Sequence, residues 1–163
     1  MNTLKLRLIN GSSTQMMWKI DGKELPVKKG KNGVAEIVYT TEKPSVKLSV
    51  HTYLALKGKA WWLSSLLFFI LSVFGLFDKR GQEKHRAIAY EGEIPVQEST
   101  QATVRVLRFR ENEKGVAIDG VEAVETENRC YVDTVAKKRG KVLVALKIVV
   151  LAVTVVGVAL LVI

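Results

Sequence analysis

Cysteine is nearly absent from this sequence, since Cys130 is the only one among 163 residues. A single thiol can form neither an intramolecular disulfide nor a thiolate zinc cluster, and it does not identify the redox compartment. Histidine is equally scarce, and His51 and His85 lack the spacing of the zinc-binding helix motifs. We therefore expect no metal site and no disulfide framework.

The motifs of common catalytic and cofactor-binding folds are missing as well. The scattered glycines, among them Gly30, Gly33 and Gly58, follow neither the phosphate-loop pattern nor the dinucleotide-binding pattern. No serine stands in a nucleophile-elbow motif. The sequence thus predicts no catalytic residues and no cofactor, and we expect a protein that is not an enzyme.

Positive charge is in excess, yet the features of a nucleic-acid-binding domain are lacking. The formal net charge is +9, and residues 1–59 alone hold eleven Lys/Arg against four Asp/Glu, a net of +7. Neither an aromatic-rich RNA-binding motif nor a recognition helix accompanies this charge, so nucleic acid is not an expected partner. A basic surface suits anionic lipid headgroups, at about 1 kcal/mol per Lys or Arg near the membrane.

Two long apolar runs are present. The C-terminal run, residues 142–163, contains one charged residue, Lys147, and follows the basic flank of residues 137–141. As a helix it would span roughly 33 Å, against a hydrocarbon core of about 30 Å. The earlier run, residues 60–77, contains no charge and would span about 27 Å. The sequence predicts a C-terminal transmembrane helix and a first membrane helix that is either spanning or re-entrant.

The remaining sequence alternates apolar and polar residues with the period of β-strands. Residues 3–9, 16–20, 34–40 and 46–53 follow this pattern, and residues 87–136 return to it. Within 103–110 the apolar phase shifts after Val106, which predicts a bulge. Short strands are also expected over 121–124 and 130–135. Residues 1–15 contain no apolar stretch typical of a signal peptide.

The predicted fold is therefore β-rich, with a small antiparallel sandwich-like module or modules plus two hydrophobic membrane helices. Its expected divisions are an N-terminal β module (1–59), membrane helix 1 (60–77), a charged linker with a second β module (78–141) and the C-terminal transmembrane helix (142–163). The two β stretches are each short enough to bury only a small core alone, so they are either separate modules or one combined fold.

The basic residues leave two membrane arrangements open. Nine Lys/Arg of the connecting segment lie within about 20 residues of a span, four precede the first run and none follows the second. The favoured arrangement is a two-span hairpin with 78–141 in the cytoplasm and both termini outside. In the other, residues 60–77 are re-entrant or in plane, and 1–59 pairs with 78–141 as one cytoplasmic sandwich.

Basic residues beside the apolar runs are the predicted sites of contact with the membrane surface. They are Lys28, Lys29, Lys31, Lys57, Lys59, Lys79, Arg80, Lys137, Lys138, Arg139, Lys141 and Lys147. Lys147 alone lies inside a run, from which its ammonium can snorkel to the interface. Trp61 and Trp62 are predicted interface anchors, because tryptophan is enriched at the membrane–water boundary.

Small residues recur along both runs at intervals typical of helix packing. They are Ser65, Ser72, Gly75, Ala145, Ala152 and Ala159. Small side chains let membrane helices approach closely, and serine hydroxyls can donate across the contact. The same stripes would equally serve a homo-oligomer.

Together these patterns predict a small integral membrane protein, expected in the plasma membrane, that presents its β structure at the membrane surface. Its expected role is that of an accessory or scaffold subunit that binds a membrane complex or anionic lipid. The expected partners are membrane lipids together with a protein partner or a second copy of the chain. The alternative function is an oligomeric pore or transporter subunit.

Overall fold

The computed structural model describes residues 1–10, 16–27, 34–63, 65–67 and 85–162. Among them the regular elements are, in chain order, β1 (Asn2–Ile9), β2 (Met16–Ile20), β3 (Lys23–Glu24), β4 (Val34–Thr41), β5 (Ser45–Thr52), a 3-10 helix (Ala55–Lys57), β6 (Arg86–Pro95), β7 (Thr100–Val106), β8 (Val116–Asp119), β9 (Val124–Val132) and α1 (Thr134–Val162). They fall into a β unit, residues 1–53 with 86–131, and a helical unit, residues 54–85 with 132–163.

The β unit consists of two sheets that share one hydrophobic core. The strand order is β4-β1-β7-β8 in the first sheet and β3-β2-β5-β6-β9 in the second. On β1, Leu4, Leu6 and Leu8 are fully buried in this core, whereas Lys5 and Arg7 between them are exposed. This is the alternation that places successive side chains of a strand on opposite faces of its sheet.

The β-rich prediction is confirmed, with one correction to the strand directions. β1 pairs with β4 antiparallel but with β7 parallel, so the first sheet is mixed rather than antiparallel. A parallel pair needs a long connection between its strands, and the whole chain from β2 to β6 provides it. The sequence pattern shows which face of a strand is buried, but it does not show the direction of the neighbouring strand.

Strands from both sides of the first apolar run lie in the same sheets. β1 precedes the run and pairs with β7, which follows it. β5 also precedes the run, and it pairs antiparallel with β6, which follows it, from Ser45 opposite Pro95 to His51 opposite Ala89. A hydrogen-bonded ladder cannot have its two strands on opposite sides of a bilayer. The favoured two-span hairpin, which separates residues 1–59 from 78–141, is therefore wrong.

One of the two predicted membrane helices is shown. Among the described residues, the segment 134–160 of α1 is the one helix long and apolar enough to cross a membrane. α1 starts at Thr134, eight residues before the apolar run itself. The second predicted helix is not shown as a span: residues 61–63 and 65–67 are helical, and residues 64 and 68–77 lie outside the described residues.

Two strand boundaries differ from the sequence prediction. β7 ends at Val106 without the expected bulge, and the Leu107 backbone N–H donates instead to the carbonyl of Gly115 at 2.9 Å. β9 runs from Val124 to Val132, although the polar residues 125–129 do not resemble a strand, and residues 134–135 already belong to α1.

Asn128 explains how the polar strand β9 is held. Its Oδ1 accepts hydrogen bonds from the backbone N–H groups of Gly115 (2.9 Å) and Val116 (3.1 Å), and its Nδ2 donates to the Val116 carbonyl (2.8 Å). The amide thus uses both its acceptor and its donor groups. Because β8 and β9 belong to different sheets, this side chain fastens an edge of one sheet to an edge of the other.

Tyr90 and Gly92 of β6 provide a test of the core packing. The Tyr90 hydroxyl is buried and has no hydrogen-bond partner among the described residues, and burial raises the pKa of Tyr90 to about 12. A Cβ on Gly92 would overlap this hydroxyl and lie 2.9 Å from Tyr90 Cζ. We expect Gly92→Ala to lower the free energy of unfolding by about 1–3 kcal/mol through overpacking. Tyr90→Phe should leave it unchanged or raise it, because it removes an unpaired buried hydroxyl.

The double variant Gly92→Ala/Tyr90→Phe should recover part of the loss, since phenylalanine lacks the atom nearest to the new methyl group. Urea unfolding of the full-length protein in detergent, followed by circular dichroism, measures all four free energies. If Gly92→Ala lowers the free energy of unfolding equally in the wild-type and the Tyr90→Phe backgrounds, the contact with the Tyr90 hydroxyl is not the cause of the destabilisation.

Candidate membrane-interface site

Asp133 sets the beginning of α1. It is the residue between β9 and the helix, and its Oδ1 accepts a hydrogen bond from the backbone N–H of Ala136 at 2.8 Å. Its own backbone N–H donates to the His85 carbonyl at 2.8 Å, and its carbonyl accepts from the Lys137 N–H at 2.9 Å. This is N-cap geometry, which satisfies a backbone donor that the first helical turn leaves without a partner.

Lys57 of the 3-10 helix completes the surroundings of Asp133. Its Nζ lies 3.1 Å from Asp133 Oδ2, and the carboxylate side chain is only 8 % exposed. The pKa of Asp133 is held below its ordinary value of 3.8, chiefly by the hydrogen bond from Ala136 and further by Lys57, while burial opposes the shift. A negative charge at this position also offsets the positive N-terminal end of the helix dipole.

Arg139, in the second turn of α1, contacts the segment at the start of the first apolar run. Its Nη1 donates to the carbonyl of Leu56 at 2.7 Å, and its guanidinium carbon lies 5.0 Å from the centre of the Trp61 ring. That distance is typical of a cation–π contact. Leu56 itself is buried, and its Cδ1 would lie 3.7 Å from a Cβ placed on Gly140. We call Leu56, Lys57, Trp61, Asp133 and Arg139 the collar.

The other face of the first turns of α1 is basic. Lys137, Lys138 and Lys141 are exposed, and they share one face because residues three or four apart are neighbours on a helix. None of the three forms an ion pair with a described carboxylate. Lys59, just before the first apolar run, is exposed too. Within the helical unit these four exposed lysines lie around the collar, and we call them the collar lysines.

An apolar groove lies between α1 and the helical residues 61–63 and 65–67, directly beyond the collar. It has a volume of about 250 Å³, and it is lined by Trp61, Trp62, Ser65, Leu66, Val142, Leu143 and Leu146. Val142 is the first residue of the apolar run that continues towards the C-terminus. The collar therefore marks the level at which the sequence of α1 changes from polar to apolar.

The predicted site residues are distributed unevenly around this groove. Ser65 is buried in it, Trp61 is half-buried and Trp62 is 58 % exposed. The three alanines of the α1 stripe are exposed, and they are Ala145, Ala152 and Ala159. Lys147 lies within α1, but its side chain is not described. The remaining predicted residues lie outside the described residues, and they are Lys28, Lys29, Lys31, Ser72, Gly75, Lys79 and Arg80.

Sequence reasoning missed Asp133 and Leu56. Asp133 directly precedes Thr134, which lies eight residues before the apolar run. An aspartate at such a position is a recognisable N-cap signal, and it would have extended the predicted C-terminal helix to its observed start. No comparable signal exists for Leu56, because its role depends on a backbone carbonyl that meets Arg139 across 83 residues of sequence. That contact is determined by the tertiary fold alone.

A second, polar cleft lies within the β unit. Asp21 Oδ2 is 2.6 Å from Lys43 Nζ, and Asp21 Oδ1 accepts from the Lys47 backbone N–H at 2.9 Å. These contacts, the Lys43 hydrogen bond first, hold the pKa of Asp21 below 3.8. The Ser45 hydroxyl donates to Glu93 on the same cleft. The charged groups satisfy one another, so we interpret the cleft as a structural ion-pair cluster.

Acidification tests the collar. The folded-state pKa of Asp133 lies below 3.8, so its ionised form stabilises the collar above that value, and this contribution is lost as the pH falls through the folded-state pKa. In Asp133→Asn the amide oxygen can still cap Ala136, but the charge that titrates is gone. We expect the Trp61 indole N–H resonance, followed by NMR of the full-length protein in micelles, to show a transition below about pH 4 that Asp133→Asn lacks.

The matched control is Asp119→Asn, which removes an aspartate that pairs with Arg105 at 2.8 Å within the β unit. It should leave the Trp61 transition unchanged. A transition of the same midpoint and size in Asp133→Asn would show that another group causes it.

Among the described residues, no group of three or more His, Cys, Asp or Glu side chains is placed to hold a metal ion. The collar and the groove instead combine exposed ammonium groups, a guanidinium, two indoles and an apolar floor. Comparison of the chain with models of protein families, with curated proteins and with solved structures gives no match.

Proposed function

We propose that this chain is an integral membrane protein with a single spanning helix, whose β unit stands at one membrane face as an accessory or scaffold subunit. Its collar lysines bind the headgroups of anionic lipids. The observation that carries the proposal is the continuity of α1, which runs without a break from a capped, basic start into an apolar stretch. Residues 142–162 of this helix extend about 31 Å, enough for a hydrocarbon core of about 30 Å.

The strand pairing supports one span rather than two. Because β1 and β5 share sheets with β7 and β6, residues 54–85 must cross the bilayer an even number of times. An apolar run of 18 residues is long enough for about one crossing. Residues 60–77 therefore enter the membrane and return on the same side, or they lie in the interfacial plane.

The charge distribution supports a cytoplasmic location for the β unit. Lys57, Lys59 and the basic flank of residues 137–141 all precede the apolar run of α1, next in sequence to the strands of the β unit. Short cytoplasmic segments next to a span carry an excess of Lys and Arg. The cytoplasmic leaflet of the plasma membrane is rich in anionic lipid, which suits this collar.

The helix dipole supports lipid contact at the collar. Lys137 lies at the end of the first turn of α1, where a cation is unfavourable by about 0.3–1 kcal/mol because the helix N-terminus is positive, and Lys138 and Lys141 follow in the next turns. The first turn contains no acidic residue. Asp133 offsets part of this repulsion, and anionic headgroups at the same level would offset the rest.

Charge reversal tests the proposal. The variant Lys137→Glu/Lys138→Glu/Lys141→Glu should lose the local enrichment of anionic lipid around the protein, because each cation near the surface contributes about 1 kcal/mol. The protein is reconstituted in vesicles of phosphatidylcholine that contain about 20 % anionic phosphatidylglycerol, a surface that attracts Lys and Arg. Polymer-bounded particles are then extracted from these vesicles, and their lipid composition is measured. The wild-type enrichment should also fall when the salt concentration rises.

The matched control reverses the same number of exposed cations on the β unit, in Lys5→Glu/Arg7→Glu/Lys23→Glu. It changes the net charge equally and should keep most of the enrichment. If wild type shows no enrichment, or if both triple variants lose it equally, the collar is not the lipid-binding surface.

A further inference from the structure

We propose that the groove beyond the collar is a binding site for one anionic phospholipid molecule of the surrounding leaflet. One acyl chain lies along the apolar floor, and the phosphate contacts Lys138 and Arg139 at the rim. This inference rests on the proposed membrane insertion of α1, and it adds a stoichiometric site to the general attraction of the collar for anionic headgroups.

The floor of the groove has the chemistry of a site for a hydrocarbon chain. Val142, Leu143 and Leu146 line one side, and Trp61, Trp62 and Leu66 line the other. The volume of about 250 Å³ exceeds the roughly 150 Å³ of apolar protein cavities that stay dry and take up apolar molecules. The polar groups on the described lining are the Ser65 hydroxyl and the two indole N–H groups of Trp61 and Trp62. Water would find few hydrogen-bond partners there.

The rim of the groove has the chemistry of a phosphate site. Lys138 lies one turn before Val142, and Arg139 lies one turn before Leu143, so both stand on the helix stripes that form the floor. Arg139 is already oriented by Leu56 and Trp61. A guanidinium has five N–H donors, so it can serve the Leu56 carbonyl and a phosphate oxygen together. Basic pockets beside membrane helices are suited to lipid headgroups in this way.

The rim also argues against a second copy of the chain as the occupant. A symmetric dimer through this groove would bring two sets of Lys138 and Arg139 to the same level of the membrane, and juxtaposed like charges cost several kcal/mol. An anionic phospholipid instead has a negative phosphate that complements the cations of the rim, and an acyl chain that can pack on the apolar floor. Trp61 and Trp62 lie at the depth expected of interface aromatics, which is where a headgroup meets its chain.

Two variants with the same kind of change separate the groove from the rest of the helix surface. Ser65→Phe places a ring in the groove, whereas Ala145→Phe places the same ring on an exposed position of α1 outside the lining. Full-length wild type, reconstituted in vesicles of phosphatidylcholine and phosphatidylglycerol and then transferred to detergent, should retain one phosphatidylglycerol per chain in native mass spectrometry. Ala145→Phe should retain it too, and Ser65→Phe should lose it.

Tryptophan quenching by lipids with brominated acyl chains supplies the second readout. In vesicles, brominated phosphatidylglycerol should reach half-maximal quenching at a mole fraction about fivefold lower than brominated phosphatidylcholine, which is the factor contributed by one cation near the surface. Lys138→Ala should reduce this ratio towards one. Ser65→Phe should reduce it as well, even though its collar lysines are intact.

The outcomes distinguish this inference from the proposed function. If anionic lipid is enriched around wild type but no lipid is retained and the two brominated lipids quench equally, the groove is not a lipid site, while the collar proposal stands. Recovery of a dimer in detergent that Ser65→Phe converts to monomer would overturn the inference in favour of a second copy. If even the general enrichment is absent, the proposed function fails first.

Discussion

The pairing of β1 with β7 and of β5 with β6 is the constraint on which the membrane arrangement depends. Both ladders join residues before the first apolar run to residues after it. Their hydrogen bonds require both stretches to fold in one aqueous compartment, because a bilayer core leaves no path for a shared sheet. In the proposed arrangement the run between them then cannot cross the membrane once, and α1 alone anchors the chain.

Three side chains stabilise the start of α1, each through a different contact. Asp133 caps the backbone donors, Lys57 neutralises its charge, and Arg139 holds the 3-10 helix against the second helical turn. These contacts order the chain just before the apolar part of α1 begins. They also leave Lys137, Lys138 and Lys141 exposed at the same level. A basic helix start is unfavourable by itself, and it becomes favourable beside a surface of negative charge.

The sequence was sufficient for what depends on local pattern and insufficient for what depends on tertiary contact. Alternation at Leu4, Leu6 and Leu8 predicts the buried face of β1, and the C-terminal apolar run predicts the apolar part of α1. The parallel direction of β7 and the sharing of sheets across the first run have no local signal. Only the polar part of β9, residues 125–129, was missed, because tertiary contacts such as those of Asn128 hold it. The collar was missed because Leu56 meets Arg139 only in the folded chain.

The most direct test of the single-span account is the accessibility of two positions on either side of the first apolar run. In a Cys130→Ala background, Glu42→Cys and Ser99→Cys place one exposed thiol before the run and one after it. The account predicts that an impermeant thiol reagent labels neither position in intact cells and labels both after permeabilisation. Labelling of one position but not the other in intact cells would place the two halves of the β unit in different compartments and contradict the account.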